Sequence, residues 1–312
     1  MSAPTTFVCG ATGTQGGALA SVLLSQSLPV HCLARNPSSS AAQSLSSRGA
    51  KVYPGSYDDL PALTEALTGC TTLYMNFMPD FTDLSAELRW AQTILKIAGE
   101  KGVKRVLYSS GFGMDDPMSL PGIVKGSFTA QVLSSKKSIE DEVRAAKHVP
   151  HWTLFRPGWF MANLLNPFAE RMCPTLVSPA GVWAVAFAPS TRLPMIDTAT
   201  MGRFTAAAVL DPEQFDGKVI TYCDELLPLE EVVAHVGKAT GRKGLKVEYL
   251  PEDDVQAQIS TNPFLHGQYI SRGMGNMVDM EAVKGFGIEL SSLSAFLERE
   301  KVRVVETFNS AS

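Results

Sequence analysis

Short β-branched and aromatic runs alternate along this chain with stretches whose apolar residues recur every three or four positions. The runs are Thr5–Cys9, Val30–Ala34, Lys51–Pro54, Thr72–Phe77, Arg105–Ser109, Thr153–Arg156 and Val219–Cys223. Each reads as a strand. Between them, Ala18–Leu24 reads as a helix, and Leu60, Leu63, Ala66 and Leu67 share one helical face behind Asp58 or Asp59 as N-cap. Leu84–Glu100 carries the stripe Leu84, Leu88, Ala91, Leu95 and Ala98, and Gly102 punctuates its end. Ser127–Lys147 reads as a further long helix. Its Lys136/Glu140 and Lys137/Asp141 stand four residues apart, the spacing of a solvated, charge-paired face. Strands separated by helices predict βαβ crossovers, and so an α/β fold with a doubly wound parallel sheet of the Rossmann kind.

The pattern changes after the strand near residue 156. Residues 157–196 are rich in Pro, Gly, Trp and Phe with no long period, which predicts loops and short helices. Asp197–Leu210 and Leu229–Thr240 read as helices, the latter ended by Gly241. Lys246–Leu250 reads as a strand and Leu290–Val304 as a closing helix. The predicted division is a nucleotide-binding domain over 1–156, with the strand near 219–223 returning to its sheet, and a smaller α/β substrate-binding region over 157–312. A chain of 312 residues with 45% apolar content can bury both.

Charge and special residues narrow the function classes. The net charge of −4, without a basic run, offers no pull toward nucleic acid or an anionic membrane. No apolar run approaches the ~18 residues of a membrane span. The N-terminal Met1-Ser2-Ala3-Pro4 lacks the basic and apolar regions of a signal peptide, so a cytoplasmic location is expected. Five cysteines without C-x-x-C spacing read as buried reduced thiols, and five histidines without ligand spacing predict no metal site.

The most specific chemistry sits between the first strand and the first helix. Gly10-Ala11-Thr12-Gly13-Thr14-Gln15-Gly16-Gly17 places glycines three apart where a dinucleotide's pyrophosphate would lie. One glycine permits the tight turn, one lets the backbone approach the phosphate, and one lets the helix pack on the strand. The helix N-terminus then offers free N–H groups to the anion. After the second strand, where an acid would bind the ribose 2′-hydroxyl of NAD, the chain has Arg35-Asn36-Pro37-Ser38-Ser39. A guanidinium there suits the 2′-phosphate of NADP(H), and Ser38 and Ser39 add hydroxyl donors.

Gly-Ala-Thr-Gly-x-Gln-Gly-Gly at 10–17, Ala-Arg-Asn-Pro at 34–37 and Gly-Ser-Tyr-Asp-Asp at 55–59 resemble the NmrA-like family of atypical short-chain dehydrogenases. Val-Leu-Tyr-Ser-Ser at 106–110, Ser-Lys-Lys-Ser-Ile-Glu at 135–140 and Phe-Arg-Pro-Gly-Trp-Phe-Met-Ala-Asn at 155–163 extend the resemblance over most of the chain. The chain is also distantly similar to isoflavone-reductase-like enzymes. The resemblance implies phosphate binding by Gly10 to Gln15, and 2′-phosphate binding by Arg35 and its neighbours to Ser39. Ser56 stands where the family often has an acid, so adenine contact would be weaker or shift to Tyr57 or Asp58. Asn76, Phe77 and Met78 would line the cofactor, Lys136 would reach the nicotinamide ribose, and Pro157, Phe160, Met161 and Asn163 would flank the nicotinamide.

The proton donor is not where short-chain dehydrogenases place it. Their Y-x-x-x-K pairs a tyrosine with a lysine that lowers its pKa. Four residues before Lys136 stands Val132, and no tyrosine here has a lysine four residues on. Three readings follow: Lys136 itself serves as acid or base; Tyr108, Ser109 or Ser110 serves; or the protein binds NADP(H) without fast chemistry and reports redox state to a regulatory protein partner. The family contains both reductases and NADP-sensing regulators. A reductase also needs a dry pocket, for which Phe112, Met114, Trp159 and Tyr269 are the candidate substrate walls. Their apolar character predicts a mostly apolar or aromatic carbonyl or conjugated C=C small molecule.

Overall fold

In a computed structural model, which describes residues 3–309, the alternating pattern folds into one large sheet and two small ones. The strands are β1 (Thr6–Val8), β2 (Val30–Ala34), β3 (Lys51–Pro54), β4 (Thr72–Met75), β5 (Arg105–Ser109), β6 (His151–Pro157), β7 (Trp159–Phe160), β8 (Val182–Val185), β9 (Arg192–Ile196), β10 (Lys218–Tyr222), β11 (Glu225–Pro228) and β12 (Lys246–Tyr249). The large sheet has the order β10-β6-β5-β4-β1-β2-β3. From β3 through β1 to β6 every pairing is parallel. The order reverses between β1 and β4, and there a doubly wound sheet leaves a crevice at its carboxyl ends.

Burial on both faces explains the unbroken apolar runs: every residue of β1 and β4 is buried. The crossovers are α1 (Thr14–Ser25), α2 (Ser40–Ser47), α3 (Leu60–Leu67), α4 (Ala86–Glu100) and α5 (Phe128–Ala145). Asp59 caps α3 by accepting from the Ala62 amide at 3.1 Å, and Ser39 caps α2 through Ala42 at 3.3 Å. Phe7, Leu63, Leu73, Ile94, Val106, Ile139 and Leu154 centre the core on this face.

The chain forms two compact units, each discontinuous. The first contains residues up to 114, 132–156 and 198–220; the second contains 115–131, 157–197 and residues from 221 onward. In the first unit the helix Thr198–Leu210 lies against α1 at very close range. A Cβ on Gly202 would fall 2.8 Å from the Ala18 carbonyl oxygen, so only glycine permits this approach.

The second unit departs from its sequence expectation. Where loops and short helices were expected over 157–196, it also holds β7, β8 and β9. β9 pairs parallel with β7 and antiparallel with β11, and β8 pairs parallel with β12. These strands have two to five residues, too few for a legible alternation. The expected closing helix is two helices, Leu293–Arg299 and Lys301–Asn309, broken at Glu300. Trp159, Trp183, Phe187, Met195, Val233 and Phe296 are among the residues of this unit's core. Among the described residues no helix is long and apolar enough to cross a membrane, and no group of three or more His, Cys, Asp or Glu could hold a metal. All five cysteines are buried without disulfides; burial pushes Cys32 up to about 11 and Cys70, Cys173 and Cys223 to about 12.

Candidate functional site

The glycine loop leaves β1 at the point where strand order reverses. Gly10 turns with φ +65°, a left-handed conformation that favours glycine. The Gly13 amide donates to the Gly10 carbonyl at 2.8 Å and closes the turn. Gly13 itself is extended (φ −104°), and as the N-cap of α1 it brings no side chain to its first amides. Gly16 is the packing glycine: a Cβ there would lie 2.5 Å from the Cys9 carbonyl oxygen and from Gly10.

Side chains tie this loop to neighbouring strand ends. The Gln15 amide donates to Asn76 Oδ1 at 3.2 Å, just beyond β4, and Ser109 Oγ at the end of β5 donates to Gln15 Oε1 at 2.7 Å. The Gly10 amide donates to the Tyr57 hydroxyl at 2.7 Å. Burial and the adjacent Cys9 thiol push that phenol well above its ordinary range, so it stays protonated. Tyr57 also packs with Phe77 and Trp90, with ring centroids 5.4 and 5.6 Å away, and Trp90 Nε1 donates to Asp58 at 2.8 Å. Ser56 Oγ accepts from the Asp58 amide at 3.3 Å, which orders this turn.

A cleft of about 400 Å³ lies beside the loop, lined by Thr12, Ala34, Arg35, Asn36 and Ser39. The lining includes Arg35 and no acidic residue. Asn36 Oδ1 accepts from the Ser38 amide at 3.0 Å and shapes the rim. Ala11 is buried beneath the loop, Thr12 and Thr14 are exposed, and Met78 stands out into solvent.

The charge pattern of α5 needs correcting. Lys137 and Asp141 form the expected exposed i,i+4 pair at 2.6 Å, but Lys136 and Glu140 are not a solvated pair. Lys136 Nζ donates to Glu87 on α4 at 3.1 Å and to the Phe77 carbonyl at 3.5 Å. Glu140 is fully buried. It accepts from Arg156 at 2.8 and 3.0 Å, Arg144 at 3.1 Å and Ser110 at 2.5 Å. The face of α5 that carries Lys136 and Glu140 meets the neighbouring protein interior, so each finds a non-local partner.

The alternative proton donors sort accordingly. Tyr108 is fully buried, and burial together with Glu87 and Glu140 pushes its phenol far up; it exposes no atom to a substrate. Ser109 and Ser110 spend their protons on Gln15 and Glu140. Val132 is half-buried at the place a catalytic tyrosine would take.

The remaining candidates divide between the units. Phe112 and Met114 belong to the first, and Met114 exposes no surface. In the second unit Pro157 is buried, and Trp159 and Phe160 form β7. Met161 and Asn163 lie in the turn Met161–Leu164, and Met161 is wholly enclosed in the core. Trp159 packs on Trp183 with centroids 6.0 Å apart, and Tyr269 stacks under the Arg272 guanidinium at 4.1 Å. Phe160, Asn163 and Tyr269 keep partial exposure, while Met114 and Met161 are enclosed. The Gln15–Ser109 tie and Glu87 escaped sequence reasoning, since neither spacing nor motif links them to their partners.

The family model described as the NmrA-like family matches residues 3–305. An NmrA-like family domain-containing oxidoreductase of Aspergillus hancockii is 26% identical over 251 residues, covering 76% of this chain and 72% of the relative. Another, from Malbranchea aurantiaca, is 24% identical over 323 residues, covering 93% of each. In three dimensions the Escherichia coli NADPH-dependent quinone oxidoreductase complexed with NADPH is similar with TM-score 0.71 and 22% identity, over 95% of this chain and 99% of that one. The negative transcriptional regulator NmrA is similar with TM-score 0.75 and 17% identity, over 99% and 98%. At these identities the solved structures show a shared Rossmann-like α/β fold.

Proposed function

This chain belongs to the NmrA-like family, and on that footing we propose that it is an NADPH-dependent reductase of a mostly apolar or aromatic carbonyl or conjugated C=C compound. The observation that carries the reading is the glycine loop with its acid-free, Arg35-lined cleft. A dinucleotide fits the residues present: the uncapped first turn of α1 suits a pyrophosphate, and Gly13 adds no side chain above it. Gly10 to Gln15 would hold the diphosphate, Arg35 with Asn36, Ser38 and Ser39 the 2′-phosphate, and Tyr57 the adenine side of the loop. When bound, NADPH supplies the hydride.

Lys136 is the residue we assign to proton handling and to the nicotinamide ribose. An ammonium can donate to sugar hydroxyls, polarise a substrate oxygen, or feed it a proton through water. Phe112, in the same unit as the glycine loop and Lys136, is the proposed apolar wall of the substrate site.

One observation favours a second reading. Val132 stands in place of the usual acid, as suits an NADP(H)-binding sensor that acts through a protein partner. NADPH oxidation across aromatic enones, aldehydes and ketones separates the two, measured with the parent, Lys136→Met and Lys137→Met. The reductase reading expects parental turnover on at least one class, a large loss in Lys136→Met with NADPH affinity nearly kept, and Lys137→Met near parental. Tight NADPH binding with no turnover on any class would favour the sensor.

A further inference from the structure

We propose that Glu87, in the first turn of α4, is a positioning residue that anchors the Lys136 ammonium for its work at the cofactor. The inference rests on the role given to Lys136 above. An ammonium has three N–H donors and no acceptor. One donor meets Glu87 Oε1 at 3.1 Å and another meets the Phe77 carbonyl at 3.5 Å. Two tethers, one from α4 and one from the segment after β4, hold a side chain that otherwise has four rotatable bonds. The third N–H is then available for a cofactor hydroxyl or a substrate oxygen.

In α4 itself the carboxylate stands in the first turn, where it complements the helix N-terminus, a task an exposed acid performs as well. Glu87 is only 1% exposed, and its helix buries Ala86, Ala91, Ile94 and Leu95 beside it. An apolar residue would fill such a position without the cost of desolvating a charge. Lys136, at 16% exposure, keeps one edge open while its partner is enclosed. That asymmetry suits an anchor beneath a working group better than a stabilising surface pair.

The geometry also predicts a pH signature. The titratable groups facing Glu87 are Lys136 from α5 and Tyr108 from β5, and Tyr108 also feels Glu140. Burial raises the Glu87 carboxyl, and Lys136 opposes that rise. As pH falls through the raised value the carboxylate takes a proton and the anchor is lost. Turnover therefore declines on the acid side, and Glu87→Gln, which copies the protonated form, holds turnover near the parent's acid-side level across the range and abolishes that decline.

The test has one readout that needs no cofactor and one that does. The chain alone is acetylated with N-hydroxysuccinimidyl acetate near neutral pH, and peptide mass spectrometry gives the labelling of Lys136 relative to Lys137, whose Asp141 partner is untouched. Glu87 and the Phe77 carbonyl hold Lys136 Nζ mostly enclosed, and losing the carboxylate frees the side chain to reach the reagent. The Lys136/Lys137 ratio should therefore rise several-fold in Glu87→Gln. With an enone that the parent reduces, kcat should fall about tenfold, the loss of one charge-assisted hydrogen bond, with KM for NADPH little changed. Glu87→Asp keeps the charge but shortens the reach, and should lie between parent and Gln in both readouts; if Glu87→Gln does not fold, Glu87→Asp decides. A parental labelling ratio in the deciding variant overturns the anchor. A raised ratio beside undiminished turnover in Lys136→Met overturns instead the role given to Lys136, and with it any catalytic purpose for the anchor.

Discussion

Replacing Arg156 by Met tests the buried network of the first unit. The guanidinium and the Glu140 carboxylate are 4% and 0% exposed, and two hydrogen bonds of 2.8 and 3.0 Å join them. Removing one partner of such a pair strands the other, which costs about 3–5 kcal/mol. Here Arg144 and Ser110 stay on the carboxylate at 3.1 and 2.5 Å, which places Arg156→Met at the low end, about 3 kcal/mol. Glu140→Met removes the acceptor of three donors and should cost about 4–5 kcal/mol. At roughly 2–4 °C per kcal/mol for large domains, Arg156→Met should lower Tm by about 6–12 °C. The double variant replaces the pair by two apolar side chains and should be less damaged than Glu140→Met alone, since desolvating both charges is then avoided. Calorimetry on the four proteins gives the cycle. A loss under about 1 kcal/mol in Arg156→Met, or a double variant as damaged as the sum of the singles, would show that the pair is not the buried, interdependent unit described.

Arg35→Ala should weaken NADPH binding about tenfold to a hundredfold and leave NADH nearly unchanged, by titration calorimetry; equal affinity of the parent for both cofactors would refute the 2′-phosphate assignment. Gly13 is extended and a Cβ there meets only the Gly10 carbonyl at 3.3 Å, so Gly13→Val should fold and lose NADPH, whereas Gly16→Ala drives a Cβ to 2.5 Å from backbone and should lower Tm as well. Equal Tm for Gly16→Ala and parent would count against that packing. Burial alone would raise Asp216, yet the His151 imidazole at 2.6 Å and the Trp152 amide hold it below the ordinary carboxylate range. Its stabilisation is therefore present above about pH 4 and lost as pH falls below it. The Tm gap between parent and Asp216→Asn should narrow there, and a gap independent of pH would contradict this.

The first six strands of the large sheet and the glycine loop could be read from the chain because their signals are local. A doubly buried strand is continuously apolar, and a phosphate loop needs its glycines at set spacing. Residue 202 shows the opposite case. Nothing in Thr-Met-Gly-Arg-Phe announces that its glycine must admit the backbone of Ala18. Lys136 and Glu140 misled for a related reason: four-residue spacing is the same on a wet face and a buried one, and Glu87 and Arg156, which decide the matter, lie 49 and 16 residues away. In the second unit, strands as short as Trp159–Phe160 owe their form to their sheet partners rather than to any alternation of their own.

The close seat of Gly202 on Ala18 bears on how this protein can be handled in the laboratory. The helix that covers α1 is made from residues 198–210, after the chain has already built much of the second unit. A recombinant fragment ending at 156 would contain the whole glycine loop yet leave bare the flank of the helix that follows it, along with the edge of the sheet that β10 occupies. Such a fragment should be sticky and poorly expressed. Nucleotide-binding pieces of this chain are better obtained by deleting loops from the intact protein than by cutting it at the end of β6.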